Sequence, residues 1–263
     1  MIHATAIVDE EATIGDNVKI GPYAVVEAGA IVGNDCELEA HALIKRGTQL
    51  GIGCSVGHFA VIGGDPQMSG FDRSLETGVR VGAGSIIRES VTIHRSASMG
   101  KSTEVGENAF LMVGCHIGHD CLVGNEVTIA NAALLAGHVV MGDHVFVGGG
   151  AGFHQFARVG ESVMVGGGSE VSVDVPPFLT VVGRNSTPGP NLIGLRRRGF
   201  HRNAIAEIKS LYREIFLGGE NFRKTAEAIL EKGGATTKEG HRFLNFFASG
   251  ERGFIRSRSR LES

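Results

Sequence analysis

Four histidines and an aspartate gather in one part of the chain: His116, His119, Asp120, His138 and His154. Imidazole has an ordinary pKa close to neutrality, so a neutral ring can take the proton of a reacting hydroxyl while a carboxylate holds that ring in place. Three readings fit the set. The histidines decorate surface turns, or they ligate a metal, or one of them is a general base and the others orient it and bind substrate. A zinc site wants three converging ligands, and the spacing specifies no such triplet. General-base catalysis is the reading adopted here, with no metal and no cofactor expected.

What must position these residues is a repeat of six. Apolar residues return at Val8, Ile14, Ile20, Val26, Val32, Leu38, Ile44, Leu50, Val56 and Ile62, and again at every sixth position from Val81 through Met99 to Val171. Two residues before each stands a small side chain or valine, for example Ala24, Cys36, Ala97, Cys115, Cys121 and Ala133. A period of six fits neither a helix nor a plain amphipathic strand. It fits a hexapeptide β-helix, in which each short strand buries its pair of inward residues against the repeats above and below.

Three sides would make a coil of eighteen residues, so side chains eighteen apart lie one above another. His119 then stacks under Gly137 and Gln155, and Asp120 under His138. The same rule stacks Asn131, Gly149 and Gly167 into a column that loses its side chains over two coils, a groove fit for a hydrocarbon chain. The alternative is that these glycines only serve turns with positive φ.

The spacing from Ile62 to Val81 is nineteen, not a multiple of six, so residues 63–78 are expected to leave the coil as a loop. Such expelled loops usually line a working face. Asp174-Val-Pro-Pro177 ends the repeats, because proline cannot keep donating to a ladder. From about Arg202 the period becomes helical. Ile205, Ile208, Leu211 and Ile215 form one face up to Gly218-Gly219, and Phe222, Ala226, Ile229 and Leu230 a second up to Gly233-Gly234. Phe243, Leu244 and Phe247 form a third, and the closing RSRSRLES is expected to be frayed. The chain divides into a mainly β part at 1–190 and a helical part at 191–263.

The 263 residues are 42% apolar with 40 glycines, the composition of a folded, turn-rich protein. No stretch approaches the run of about 20 apolar residues that spans a bilayer, and no leader is apparent, so a cytoplasmic protein is expected. All four cysteines, Cys36, Cys54, Cys115 and Cys121, occupy the small inward position, which argues for packing rather than chemistry. From Gly194 onward there are 15 Lys/Arg against 8 Asp/Glu, a net of +7 that leaves −10 for the rest.

Six stretches carry a resemblance: Ile87-Arg-Glu-Ser-Val-Thr-Ile-His-Arg95, His116-Ile-Gly-His-Asp120, Leu135-Ala-Gly-His138, Phe153-His-Gln-Phe156, Asp174-Val-Pro-Pro177 and Gly194-Leu-Arg-Arg-Arg-Gly-Phe200. Together, and in order, they resemble the acyl-carrier-protein:UDP-N-acetylglucosamine O-acyltransferases, whose reaction opens lipid A synthesis. The resemblance implies a left-handed parallel β-helix of triangular section with a C-terminal helical domain, and a homotrimer with sites between adjacent prisms. It implies that His119 is the base acting on the sugar 3-hydroxyl, that Asp120 holds it, and that the Gly137 N–H stabilises the oxyanion. Gln67, His116, His138, His154, Gln155, Asn191, Arg197 and Arg198 match substrate-contacting positions, the last three toward the nucleotide. Gly167 matches the position that measures acyl length. The expected partners are acyl carrier protein, drawn by the basic tail, and UDP-N-acetylglucosamine, with no nucleic acid.

Two departures stand out. Where the family places an Asp after the loop glutamine and a Lys two residues later, Gln67 is followed by Met68, Ser69 and Gly70, and Ile193 replaces a Glu. The acceptor is therefore open between a 3-hydroxyl and a 3-amine. A related UDP-sugar N-acyltransferase is the nearest alternative, though that relative carries a uridine-binding domain before its repeats, whereas here they begin at Val8. A coenzyme-A-dependent acetyltransferase rarely bears such a tail. Further off stand a metal-dependent hydratase of the carbonic-anhydrase type, whose hexapeptide trimers also present histidines at subunit boundaries, and a non-catalytic scaffold.

Overall fold

The computed structural model describes residues 1–218 and 221–258. Most strands of the coil are only two residues long, the length a hexad leaves after its turn, and they stack in parallel; with the strands that follow the coil, the sheets have nine, eight and eleven strands among the described residues. The hexad pair faces inward as expected. Ala24, Val26, Ala42, Ile44, Cys115, Ile117, Ala133 and Leu135 are all at most 1% exposed, and the four cysteines are free and buried. Burying an aliphatic side chain contributes about 1.5–3 kcal/mol, so the column of inward residues supplies the main force that closes the coil. At the first coil Val8 and Ile14 are only half-buried, having no repeat beneath them.

Corners between sheets demand a left-handed backbone, and here many are not glycine. Asn17, Asp35, Asn108 and Asp120 have φ between 53° and 59°. Short polar side chains tolerate this conformation. Bulky corner residues stack instead: the His41 ring lies 5.2 Å from Tyr23 and 4.9 Å from Phe59, and His138 lies 4.5 Å from Phe156.

The strand register exposes two interruptions. Val26 pairs with Ile44 and Ile44 with Ile62, eighteen apart, but Ile62 pairs with Ile93, 31 on, and Ile93 with Ile117, 24 on. The first excess is the loop between the strands Val61–Gly64 and Gly78–Val81, so Gly63, Gly64 and Gly78 belong to strands. The second excess, of six, falls within residues 95–101, between Thr92–His94 and Ser102–Val105. Sequence counting had made Ala97 and Met99 inward residues of a regular hexad. Neither is: Met99 is 62% exposed. An insertion that adds six residues leaves the phase of the repeat intact, so spacing could not reveal it.

After Val171 the coil gives way to the strand Leu179–Val182, which pairs antiparallel with Ser186–Pro190. Four α-helices follow among the described residues: α1 (Leu192–Arg197), α2 (Arg202–Gly218), α3 (Phe222–Glu231) and α4 (Lys238–Asn245). Periodicity had found the last three, with Gly219 outside the described residues, but not α1, a single turn and a half capped by Asn191. The three expected apolar faces meet, since Ile205, Ile208, Leu211, Ile215, Ile229, Phe243 and Phe247 are buried. The closing segment is not frayed throughout. Arg256–Ser257 forms a strand beside Ser186–Thr187, with Ser257 4% exposed; residues 259–263 lie outside the described residues. Among the described residues no helix is long and apolar enough to cross a membrane.

Candidate active site

His119 and Asp120 occupy the corner that follows the strand His116–Ile117. Along a strand their side chains would diverge, but Asp120 has φ 59°, and this turns its carboxylate back onto the preceding ring. His119 Nδ1 lies 2.8 Å from Asp120 Oδ2, both side chains being largely buried. A carboxylate only accepts, so Nδ1 carries the proton and Nε2 presents a lone pair.

That lone pair faces Gly137. A Cβ at 137 would fall 2.6 Å from His119 Nε2, so only glycine leaves the nitrogen open to an incoming group. Among the described residues nothing accepts the Gly137 N–H. His138, one residue on, places Nε2 3.8 Å from Asp120 Oδ2 and its ring edge-on to His119 at 5.1 Å.

The expelled segment 95–101 supplies what sequence reading missed. Ser96 Oγ donates to Asp120 Oδ1, and the Ala97 N–H donates to Oδ2 at 3.0 Å. Burial works to raise the Asp120 pKa. The hydrogen bonds from Ser96, His119 and Ala97, with the charge of His138, outweigh it and hold the carboxyl below its ordinary range. His119, Asp120 and His138 also place ligand-capable atoms within 4.8 Å of one another. Both Asp120 oxygens already receive donors, however, so a metal would have to displace the bonds that hold the His119 ring.

On the sheet whose corner carries the pair lies a cleft of about 750 Å³ lined by Gln67, Thr92, His116, Leu134, Gly152 and His154, among others, though neither His119 nor Asp120 lines it. It brings together three of the expected substrate residues. His116 Nδ1 is 2.8 Å from Thr92 Oγ1, and its ring meets His94 edge-on at 4.7 Å. His94 was also missed. Its pKa is pushed down to about 4, by burial first and then by the neighbouring charges of His116 and His119. Burial likewise lowers the pKa of His116 and His138. Gln155 is exposed beside His154, one coil above Gly137.

Asn191, Arg197 and Arg198 are not brought to this cleft. They line a separate one of about 790 Å³ with His144, Phe146 and Met164, on another sheet and at another corner. Asn191 is engaged within the chain: its Oδ1 accepts from the Gly194 N–H and its Nδ2 donates to the Ser162 carbonyl. Arg197 is exposed. Arg198 donates Nη1 to the His144 carbonyl and lies over the Phe200 ring, while its Nε and Nη2 are buried without a partner.

Asn131, Gly149 and Gly167 form an exposed column on a third corner. A Cβ at 149 would meet the Asn131 carbonyl at 3.3 Å, and one at 167 the Gly149 carbonyl at 3.3 Å. Neither glycine has positive φ. The turns are made by Gly150 and Gly168, at 66° and 65°.

Residues 11–46 and 102–137 match the bacterial transferase hexapeptide model, and 174–255 match the second domain of UDP-N-acetylglucosamine O-acyltransferase. The acyl-[acyl-carrier-protein]–UDP-N-acetylglucosamine O-acyltransferase of Paraburkholderia phymatum is 38% identical over 260 residues, 97% of this chain and 99% of its own. The chain belongs to the UDP-N-acetylglucosamine O-acyltransferase family. The solved family member from Francisella novicida is 33% identical, with a TM-score of 0.93 over 100% of this chain and 96% of its own. That from Bacteroides fragilis is 36% identical, with a TM-score of 0.92 over 97% and 100%. The coil is thus the left-handed parallel β-helix of this acyltransferase family.

Proposed function

We propose that this chain transfers an acyl group, such as a 3-hydroxyacyl chain, from acyl carrier protein to the 3-position of UDP-N-acetylglucosamine, the opening step of lipid A synthesis. The observation that carries the reading is the His119–Asp120 pair opening onto the bare backbone of Gly137, in a chain of this family. His119 Nε2 takes the hydroxyl proton as the sugar oxygen attacks the thioester carbon. The carbonyl oxygen gathers charge against the Gly137 N–H, a fixed donor that requires no reorganisation. When the C–S bond breaks, the imidazolium returns its proton to the leaving thiolate, and the ester and free carrier thiol depart.

Gln67, His116, His138, His154 and Gln155 would hold the acceptor around the base. The two buried, unpartnered nitrogens of Arg198 and the exposed Arg197 suit a diphosphate, which guanidinium groups bind through paired charge-assisted bonds. Asn191, capping α1, shapes that cleft from within. Because the two clefts lie on different faces of one chain, the reading requires a neighbouring copy to complete each site, and a homotrimer acting in the cytoplasm is its simplest form. The prism at 1–190 carries the base and the acyl groove, and 191–263 the nucleotide and carrier contacts.

Incubation with a panel of acyl carrier thioesters and UDP-sugars, followed by mass spectrometry, tests the reading. An acylated UDP-N-acetylglucosamine that alkaline hydroxylamine cleaves is the expected product. Met68 and Gly70 leave two loop positions uncharged where the family carries an Asp and a Lys, so the panel includes the 3-amino sugar, whose amide would survive that treatment. No transfer to either sugar would overturn the proposal.

A further inference from the structure

The base has a support that lies outside every motif by which the chain is known. Ser96 is 0% exposed, and its hydroxyl is committed on both sides: it accepts from the Ser98 N–H at 2.9 Å and donates to Asp120 Oδ1. With the Ala97 N–H on Oδ2, the carboxylate is gripped at both oxygens and can turn toward neither solvent nor His138. Asp120 is fixed from its backbone as well, its N–H donating to Thr103 Oγ1 at 2.8 Å.

The segment holding Ser96 is itself tied to the first expelled loop. Arg95, 2% exposed, donates to Asp65 Oδ1 at 2.9 Å, to the Leu75 carbonyl at 2.7 Å, to the Arg73 carbonyl at 3.0 Å and to Thr77 Oγ1 at 3.2 Å. The Arg95 and Ser96 N–H groups donate to the Gly64 and Gly78 carbonyls, on the two strands that flank that loop. Gln67, at the edge of the substrate cleft, sits in the same loop.

We infer that Ser96 is a positioning residue for the acyl transfer, the third member of a Ser96–Asp120–His119 chain that fixes the tautomer and aim of the base, held in register with the Gln67 loop by Arg95. The inference rests on the general-base reading of His119, so its test includes a measurement that needs no substrate. Ser96→Ala removes one donor from a buried carboxylate. The freed Oδ1 turns, and Oδ2 no longer stays on Nδ1.

A hydrogen bond to a charged group corresponds to about 10- to 100-fold in an equilibrium or a rate, and kcat is expected to fall by about that much with KM for both substrates near the wild-type value. Asp120→Asn is expected to cost more. The double variant is expected to be no slower than Asp120→Asn alone, since Ser96 acts only through that carboxylate. Nitrogen-15 NMR of the substrate-free protein is expected to show His119 as the Nδ1–H tautomer in the wild type and as a mixture in Ser96→Ala. An unchanged kcat, effects of the two substitutions that simply multiply, or an unchanged tautomer in Ser96→Ala would each overturn the assignment. A wild type that transfers no acyl group while the tautomer responds would instead count against the proposed reaction.

Discussion

His119 Nδ1 lies 2.8 Å from Asp120 Oδ2 although the two residues are consecutive. A strand would send their side chains to opposite faces. The left-handed backbone of Asp120 brings them together, so the corner that closes the coil also makes the proposed catalytic pair. Fold and chemistry share one residue here, which is why the site sits at an edge of the prism.

Acid is expected to destabilise the protein through its buried imidazoles. His94 has its pKa pushed down to about 4 in the folded chain, while in the unfolded chain it takes a proton near its ordinary value of about 6.5. Between these values the unfolded state binds more protons, so stability rises with pH across the window and is lost as pH falls toward 4. His116 and His138 are shifted the same way. Melting temperatures of wild type and His94→Gln across pH 4 to 7 check this. The variant is expected to show the shallower slope, and equal slopes would remove His94 from the account.

Arg197 and Arg198 are expected to act on binding and not on folding. Two nitrogens of Arg198 are already buried without partners, so truncation removes a desolvated charge that Glu161 and Glu126 only partly offset. Arg197→Ala and Arg198→Ala are each expected to raise KM for the UDP-sugar about 10- to 100-fold, the range of a hydrogen bond to a charged group. The melting temperature is expected to stay level or rise. A fall in melting temperature with an unchanged KM would make the cluster structural.

Coexpression of chains carrying His119→Ala with chains carrying Arg197→Ala and Arg198→Ala tests where the two halves of the site meet. At UDP-sugar concentrations near the wild-type KM, mixed oligomers are expected to be more active than either parent, because some interfaces then pair an intact base with an intact arginine cluster. No recovery in verified mixed oligomers would mean that each chain uses its own two clefts.

The glycine column distinguishes a groove from a turn. Gly167 does not have positive φ, so a side chain there meets no backbone penalty of that kind, and its Cβ would lie 3.3 Å from the Gly149 carbonyl, a contact that a small shift relieves. Gly167→Met is expected to move donor preference toward shorter acyl chains with little change in melting temperature. Equal loss on every donor length would place the acyl chain elsewhere.

Much of this was legible in sequence because a hexad coil converts spacing into neighbours. Positions eighteen apart stack, so His119, Gly137 and Gln155 could be placed on one edge, and Asp120 under His138, from residue numbers alone. The same arithmetic failed at Ala97 and Met99. An insertion that adds six residues preserves the phase, and the clamp it places on Asp120 therefore stayed hidden. Helix α1 was invisible for another reason: six residues are too few for an apolar period, and Asn191, which caps it, was read only as a ligand position. Arg256–Ser257 is a strand because the edge of Ser186–Pro190 recruits it, a tertiary cause that no local pattern records.

The central claim is that a neutral His119 draws the proton from the sugar during acyl transfer, and single-turnover transfer by wild type and His119→Ala tests it most directly. Loss of a general base costs about 10²- to 10⁴-fold, and this loss is expected in the transfer rate. UDP-sugar affinity and melting temperature are expected to remain near those of the wild type, because His119 sits at a corner and not among the inward residues. A variant that transfers acyl groups at close to the wild-type rate would contradict the account.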